Sequence, residues 1–217
     1  MKKLNVCVEG NVGSGKTTLV IELQIALSKI IKGKIKIVLE PVSKWQEAIE
    51  DGKNILELSY TNPTKYSLSF QIKALSDMLK GYMNQDEDYE VCIYERKPLT
   101  TIEVFAENLV RKDYISKLEK TFLYELLETF EATGKHTKID LTIYLKTTPT
   151  TAYNRIKQRN RNEENSINME EVAELGNIYE EYMESHKQNL VIIQANRSKE
   201  VVLEEAVASI TKYLEMK

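Results

Sequence analysis

The chain has 217 residues, and its 30 lysines and arginines against 33 aspartates and glutamates leave a formal charge of −3. That length suits one α/β domain or a domain with a small lid, and near-balanced charge argues against the basic face of a duplex nucleic-acid binder. No apolar run nears the roughly 20 residues that span a bilayer, and two cysteines with two isolated histidines make neither a disulfide framework nor a zinc site.

The first strand is predicted at Leu4–Glu9, mostly apolar and so buried on both faces. It begins by Lys3 or Leu4, which leaves no room for a targeting peptide, so a cytoplasmic protein is expected. A Gly-rich turn leads into a helix over Thr17–Ile31, with Leu19, Leu23, Leu27 and Ile30 on one face and Gly33 as its stop. Lys34–Glu40 reads as a second strand closed by Pro41. Lys44 to Asn84 reads as helix in pieces, broken near Gly52 and at Asn62-Pro63. Tyr89–Tyr94 is a third strand and Thr100–Arg111 a helix. Asp113–Thr133 is a longer helix, with Ile115, Leu118, Phe122, Leu126, Leu127 and Phe130 at helical spacing before Gly134. A fourth strand, Ile139–Leu145, precedes a helix from Pro149 to Arg159, where proline suits the first turn. A polar run then interrupts the pattern before helix Glu170–His186, a short fifth strand Leu190–Ile193 and a last helix Glu200–Leu214. Cys7 and Cys92 fall inside predicted strands and read as reduced core thiols. Strands alternating with helices imply one five-stranded parallel sheet flanked by helices, an α/β architecture in a single domain over 1–217.

Gly10-Asn11-Val12-Gly13-Ser14-Gly15-Lys16-Thr17 matches the P-loop pattern, and it follows a predicted strand and opens a helix. Glycines there let backbone N–H groups turn inward around phosphates, and the helix N-terminus adds partial positive charge. Lys16 would reach the β- and γ-phosphates of ATP, and the Thr17 hydroxyl could ligate Mg²⁺. The motif alone does not separate kinases from ATPases, GTPases or motors.

Ligands of open α/β sheets sit at the carboxyl ends of the strands. Glu40 closes the second predicted strand and Glu95 the third, with Arg96 next. Transfer to an alcohol needs a base near the hydroxyl, a metal ligand and cations at the phosphoryl group. Glu40 could be the base or hydroxyl orienter, Glu95 could hold Mg²⁺ directly or through water, and Arg96 could stabilise charge at the acceptor oxygen. Arg155, Arg159 and Arg161 cluster after the fourth strand, ahead of Glu163-Glu164-Asn165. That cluster reads as a lid, about residues 155–168, closing over ATP with transition-state charge and excluding water.

Together these motifs resemble the deoxynucleoside kinase family, of the insect multisubstrate, mitochondrial thymidine and deoxycytidine kinase type, with some features of herpesvirus thymidine kinases. The resemblance runs through Glu9–Thr18, Glu40–Trp45, Asn54–Tyr60, Phe70-Gln71, Glu95-Arg96, Tyr144–Pro149 and Arg155–Glu164. It implies a P-loop kinase fold, Mg²⁺ with ATP as donor, and phosphorylation of a deoxynucleoside 5′-hydroxyl. Glu40 would take the 5′-hydroxyl proton and Arg96 would touch the same end, while Thr17 and Glu95 would serve Mg²⁺. Tyr60 and Glu164 would hold the 3′-hydroxyl, Gln71 would read the base edge, Phe105 would stack on the base and Trp45 would wall the pocket. The phosphate-binding run extends to Thr18, and Arg155, Arg159 and Arg161 would be the lid cations. The resemblance also implies a homodimer, although the same helix faces could simply cover the sheet. Two departures stand out. Lys97-Pro98 follows Glu95-Arg96 in herpesvirus fashion, and Thr101 stands where the deoxycytidine and deoxyguanosine kinases carry Asp, which favours thymidine or another pyrimidine. A thymidylate kinase is the alternative enzyme reading, disfavoured because Glu40 would repel an acceptor's phosphate; a P-loop binding module is the non-kinase alternative.

Overall fold

The computed structural model describes residues 3–47, 49–83 and 88–216. Its elements in chain order are β1 (Leu4–Glu9), α1 (Lys16–Leu27), β2 (Ile35–Val38), α2 (Val42–Glu47), β3 (Ile49–Glu50), β4 (Lys53–Asn54), α3 (Ile55–Thr61) and α4 (Pro63–Gly81). There follow β5 (Val91–Glu95), α5 (Pro98–Thr100), a π-helical stretch (Thr101–Ala106), α6 (Glu107–Arg111), α7 (Lys117–Ala132), β6 (Leu141–Lys146) and α8 (Pro149–Arg159). A single 3₁₀ turn (Asn162–Glu164), α9 (Met169–Ser185), β7 (Leu190–Gln194) and α10 (Lys199–Glu215) complete the chain.

The main sheet has the order β2-β5-β1-β6-β7, and every pairing in it is parallel. Alternation along the central strand divides the core. Leu4, Val6 and Val8 pack with Leu19, Leu23 and Leu27 of α1 and with Ile210 of α10 on one face. Tyr144 on the opposite face packs with Val104 and with Leu175, Ile178 and Tyr179 of α9. Burying a leucine in such a layer contributes roughly 1.5–3 kcal/mol, so the α1 stripe alone fixes this helix against the sheet.

All five predicted strands are present, and the differences lie at element ends. α1 stops at Leu27, and Ile30, expected on its buried face, is more than half exposed beyond it. β2 ends at Val38, so Glu40 lies past the strand; its backbone N–H points at Glu95 Oε2 at 3.4 Å. The helix expected at Thr100 starts at Pro98 and contains the π-helical stretch, a feature often found beside functional sites. α7 begins four residues later than expected. Asp113 has φ 54°, which breaks the backbone, and Ser116 caps α7 with a reciprocal Glu119 bond. Its buried face is Leu123 and Leu127, whereas Leu118 and Phe122 are exposed. The β3–β4 hairpin was not foreseen, and the expected helical end at Asn84 lies outside the described residues. No described helix is long and apolar enough to cross a membrane.

Candidate functional site

β1 feeds a turn that requires glycine where it passes under α8. Gly13 has φ 78°, and a Cβ placed on it would sit 2.3 Å from the Ala152 carbonyl oxygen. Gly13→Ala therefore combines a left-handed backbone cost of about 1–3 kcal/mol with a clash against fixed backbone. Thermal denaturation is expected to show a melting temperature lower by roughly 3–10 °C.

The turn delivers Lys16 into the interior, where its Nζ donates to the Asn11 carbonyl at 2.9 Å. Burial pushes the Lys16 ammonium down to about 7; Arg96 acts in the same direction, and Glu95 and Glu40 oppose it. Thr17 donates its hydroxyl to Glu95 Oε1 at 2.6 Å. Burial, and then the neighbouring Glu40 carboxylate, raises the Glu95 carboxyl above its ordinary range. Arg96 sits in the left-handed region at φ 67°. Its Nη1 donates to the Gly10 carbonyl at 2.9 Å and to the Tyr179 hydroxyl, and its Nε lies 3.0 Å from Glu40 Oε1. The guanidinium also lies over the Phe105 ring at 4.7 Å.

A cavity of about 280 Å³ opens in front of these groups. Val12, Gly13, Gly15, Lys16, Thr17, Thr18, Glu40, Trp45, Tyr60, Gln71, Glu95, Arg96, Thr101, Phe105, Arg159, Arg161 and Glu164 all line it. Trp45 and Phe70 meet edge to face at 5.2 Å to form one wall. Thr101 donates its hydroxyl to Met78 Sδ at 3.3 Å. Gln71 is buried on α4 and lines the cavity, and among the described residues its side-chain amide makes no hydrogen bond. An amide that lines a cavity without protein partners keeps both its donor and its acceptor open to a ligand.

Past α8 the chain folds over this cavity. Arg159 Nη2 donates to both oxygens of Glu164, at 2.7 and 2.6 Å, and Arg161 Nη1 donates to Glu164 Oε1 at 3.0 Å. Glu163 accepts from Gln46 Nε2 at 2.8 Å and Asn54 Nδ2 at 2.7 Å. The 3₁₀ turn is thereby tied to α2 and to the start of α3, the elements that carry Trp45 and Tyr60.

Gly10, Asn11, Ser14 and Arg155 lie outside that cavity. Asn11 Nδ2 donates to the Val172 carbonyl at 2.8 Å. Arg155 donates to the Ser14 carbonyl at 3.2 Å and the Ala195 carbonyl at 2.8 Å. Ser14 and Arg155 line a second cleft of about 460 Å³ on the other flank of the loop, with Gln158, Arg159, Arg197 and Lys199. Arg159 thus faces both spaces, whereas Arg155 faces one.

A profile of the deoxynucleoside kinases matches residues 6–215. The chain belongs to the deoxynucleoside kinase family. It is 31% identical over 182 residues to the human mitochondrial thymidine kinase 2, a match covering 84% of this chain and 65% of that protein's length. It is 30% identical over 203 residues to the thymidine kinase of Ictalurid herpesvirus 1, covering 93% of this chain and 83% of the viral one. The structure of the deoxyadenosine kinase from M. mycoides with bound dCTP superposes with a TM-score of 0.79 at 21% identity, covering 96% of this chain and all of that one, so the fold is shared.

Some cavity residues of this family member escaped the sequence reading. Ala74 and Met78 line the cavity with Gln71. They sit three and seven residues after it, a helical spacing that could have revealed them. Arg197 and Lys199 had no motif to announce them.

Proposed function

We propose that residues 1–217 act as a single unit that transfers the γ-phosphoryl of ATP to the 5′-hydroxyl of a deoxynucleoside, thymidine or another pyrimidine nucleoside being preferred. The observation that carries the reading is the Glu40–Arg96 pair, at 3.0 Å, facing the same cavity as the unpartnered amide of Gln71. A cavity with a carboxylate at its phosphate end suits a neutral hydroxyl acceptor and disfavours one that already carries phosphate.

In this reading the second cleft takes the nucleotide end of ATP, and the loop N–H groups with Lys16 take its phosphates. Glu40 accepts the 5′-hydroxyl proton as the oxygen attacks. Arg96, Arg159 and Arg161 neutralise the charge that develops, and residues 155–168 act as the lid that excludes water. Gln71 pairs with the base edge, Phe105 stacks on its face, and Tyr60 with Glu164 takes the 3′-hydroxyl. Thr101 supports a pyrimidine without an exocyclic amine, since its hydroxyl is committed to Met78 and brings no carboxylate to that wall. Thr17 and Glu95 would hold Mg²⁺, which when bound supplies charge to the β- and γ-phosphates. Two oxygen ligands suit an ion that usually keeps its waters and borrows phosphate oxygens. A homodimer belongs to the same reading, supported by exposed Leu118 and Phe122 of α7 and Ile72 of α4, and sedimentation at micromolar concentration tests it. A cytoplasmic setting fits two buried cysteines that form no disulfide and is tested by cell fractionation.

The deciding experiment mixes the protein with Mg-ATP and, separately, each of the four deoxynucleosides and dTMP, with products separated by chromatography. A 5′-monophosphate from thymidine above the others is expected. Product from dTMP alone would move the reading to a thymidylate kinase, and no product from any acceptor would end it.

Lys16 also makes a prediction about protons. With its ammonium near 7 in the free protein, Lys16 is mostly neutral at pH 8. Bound polyphosphate favours the charged form, so ATP binding takes up a proton. Titration calorimetry in buffers of different ionisation enthalpy should show up to about one proton taken up at pH 8 and much less at pH 6.

A further inference from the structure

The phosphoryl-transfer reading leaves one buried acid without a task. Glu9 is the last residue of β1, and its side chain is fully buried. Oε1 accepts from the Lys97 backbone N–H at 2.9 Å, from the Thr100 hydroxyl at 2.5 Å and more distantly from the Cys7 thiol at 3.6 Å. Oε2 has no partner among the described residues. A carboxylate held in the interior with half of its acceptor capacity unused is costly, and its retention calls for a compensating role.

Its neighbours suggest that role. Lys97 and Thr100 flank the point where the chain leaves β5 and enters the helix that carries Phe105. Between β5 and that helix lies Arg96, in a left-handed conformation that is uncommon for a long side chain and needs support from its surroundings. Two ties from β1 bracket Arg96. Its own N–H donates to the Val8 carbonyl at 3.1 Å, and the next N–H along, that of Lys97, goes to Glu9. The guanidinium that emerges from this turn reaches Gly10 and Glu40.

We propose that Glu9 is a positioning residue for phosphoryl transfer: its buried carboxylate holds the Arg96 turn and so aims the guanidinium across the acceptor end of the cavity. Glu9 touches neither substrate nor the reacting atoms and acts through Arg96. The inference rests on the reading of Arg96 given above.

The test is a double-mutant cycle on kcat, with Glu9→Met, Arg96→Lys and the pair, alongside KM for ATP and melting temperature. Glu9→Met keeps the length of the side chain but removes the oxygen that accepts from Lys97 and Thr100. Its expected kcat loss is of the order of 10²-fold with KM for ATP little changed, because small misplacements at a reacting centre have effects of that size. In the Arg96→Lys background the same change is expected to have almost no further effect, since residues acting as one unit are non-additive. If Arg96→Lys is strongly impaired and Glu9→Met lowers kcat by its full factor on top of it, the inference falls and the role of Arg96 survives. If Arg96→Lys leaves kcat unmoved, the reading of Arg96 falls and takes this inference with it. Should Glu9→Met not fold, Thr100→Val removes one of the same ties. It is expected to lower kcat about fivefold, the size of one hydrogen bond, with KM for ATP held; an unchanged kcat overturns the proposal.

Discussion

Glu40→Gln is expected to lower kcat by about 10²–10⁴-fold, the range that a positioned general base contributes, while ATP binding stays largely intact. The amide keeps the size of the side chain, so Trp45 and Phe70 retain their wall and the cavity keeps its shape. On the proposed reading, what disappears is the ability to take a proton from the acceptor hydroxyl. Arg96 Nε, 3.0 Å from Glu40 Oε1, also loses its charged partner. The two losses separate in the kinetics. A missing base lowers kcat at every pH, whereas a merely displaced Arg96 also weakens binding at the acceptor end and raises KM for the nucleoside. The expected pattern is the first, read by initial rates against thymidine with ATP saturating and by direct ATP titration. Substantial retained kcat would remove Glu40 as the base.

How far this site could be read in advance depends on the distance between its parts in sequence. The glycine turn is local: eight consecutive residues between strand and helix carry their own geometry, and Gly13 and Gly15 occupy the positive φ values that such a turn demands. The parallel sheet was legible because buried strands appear as short apolar runs between helical periods. The tie between Thr17 and Glu95 spans 78 residues, and the tie between Asn54 and Glu163 spans 109. No periodicity encodes such pairings. Only the order of motifs along the chain, taken as a family pattern, brought those segments into one expectation. The α7 face was legible in part: Ile115, Leu126, Leu127 and Phe130 join the core, whereas Leu118 and Phe122 do not. Leu118 and Phe122 have helical spacing with Leu126, yet packing against α4 selects the Leu123–Leu127 stripe one residue further round. Helical periodicity identifies an apolar face without saying which part of it meets the core. Glu9 was invisible for a third reason, since a glutamate closing an apolar strand looks like any strand-end acid until its partners are known.

Lys16→Met is expected to lower kcat/KM by a common factor of order 10²–10³ for every acceptor, the cost of losing one preorganised electrostatic contact to the transferring group. On the proposed reading the factor is common because Lys16 answers to the donor's phosphates, so the ranking of nucleosides should survive even as all rates collapse. Stability in the absence of ATP should move the other way. The folded-state value for Lys16, about 7, lies below its ordinary 10.5. Above 10.5 the amine is neutral in both folded and unfolded chains, and its burial carries no charge penalty. As pH falls from 10.5 towards 7, the unfolded chain gains a proton that the folded one refuses, and folding weakens by about 1.4 kcal/mol per pH unit as an upper limit. Methionine fills a similar volume without a charge. The ligand-free variant should therefore melt above the unsubstituted protein at pH 7, with the gap closing as pH approaches 10. Saturating ATP should reverse the order, because only the lysine form gains from the phosphates. A variant that melts lower than the unsubstituted protein at pH 7 without ATP would mean that the buried ammonium is already compensated by Glu95 and Glu40. The phosphate site would then be electrostatically satisfied before its ligand arrives, and ATP binding should take up no proton.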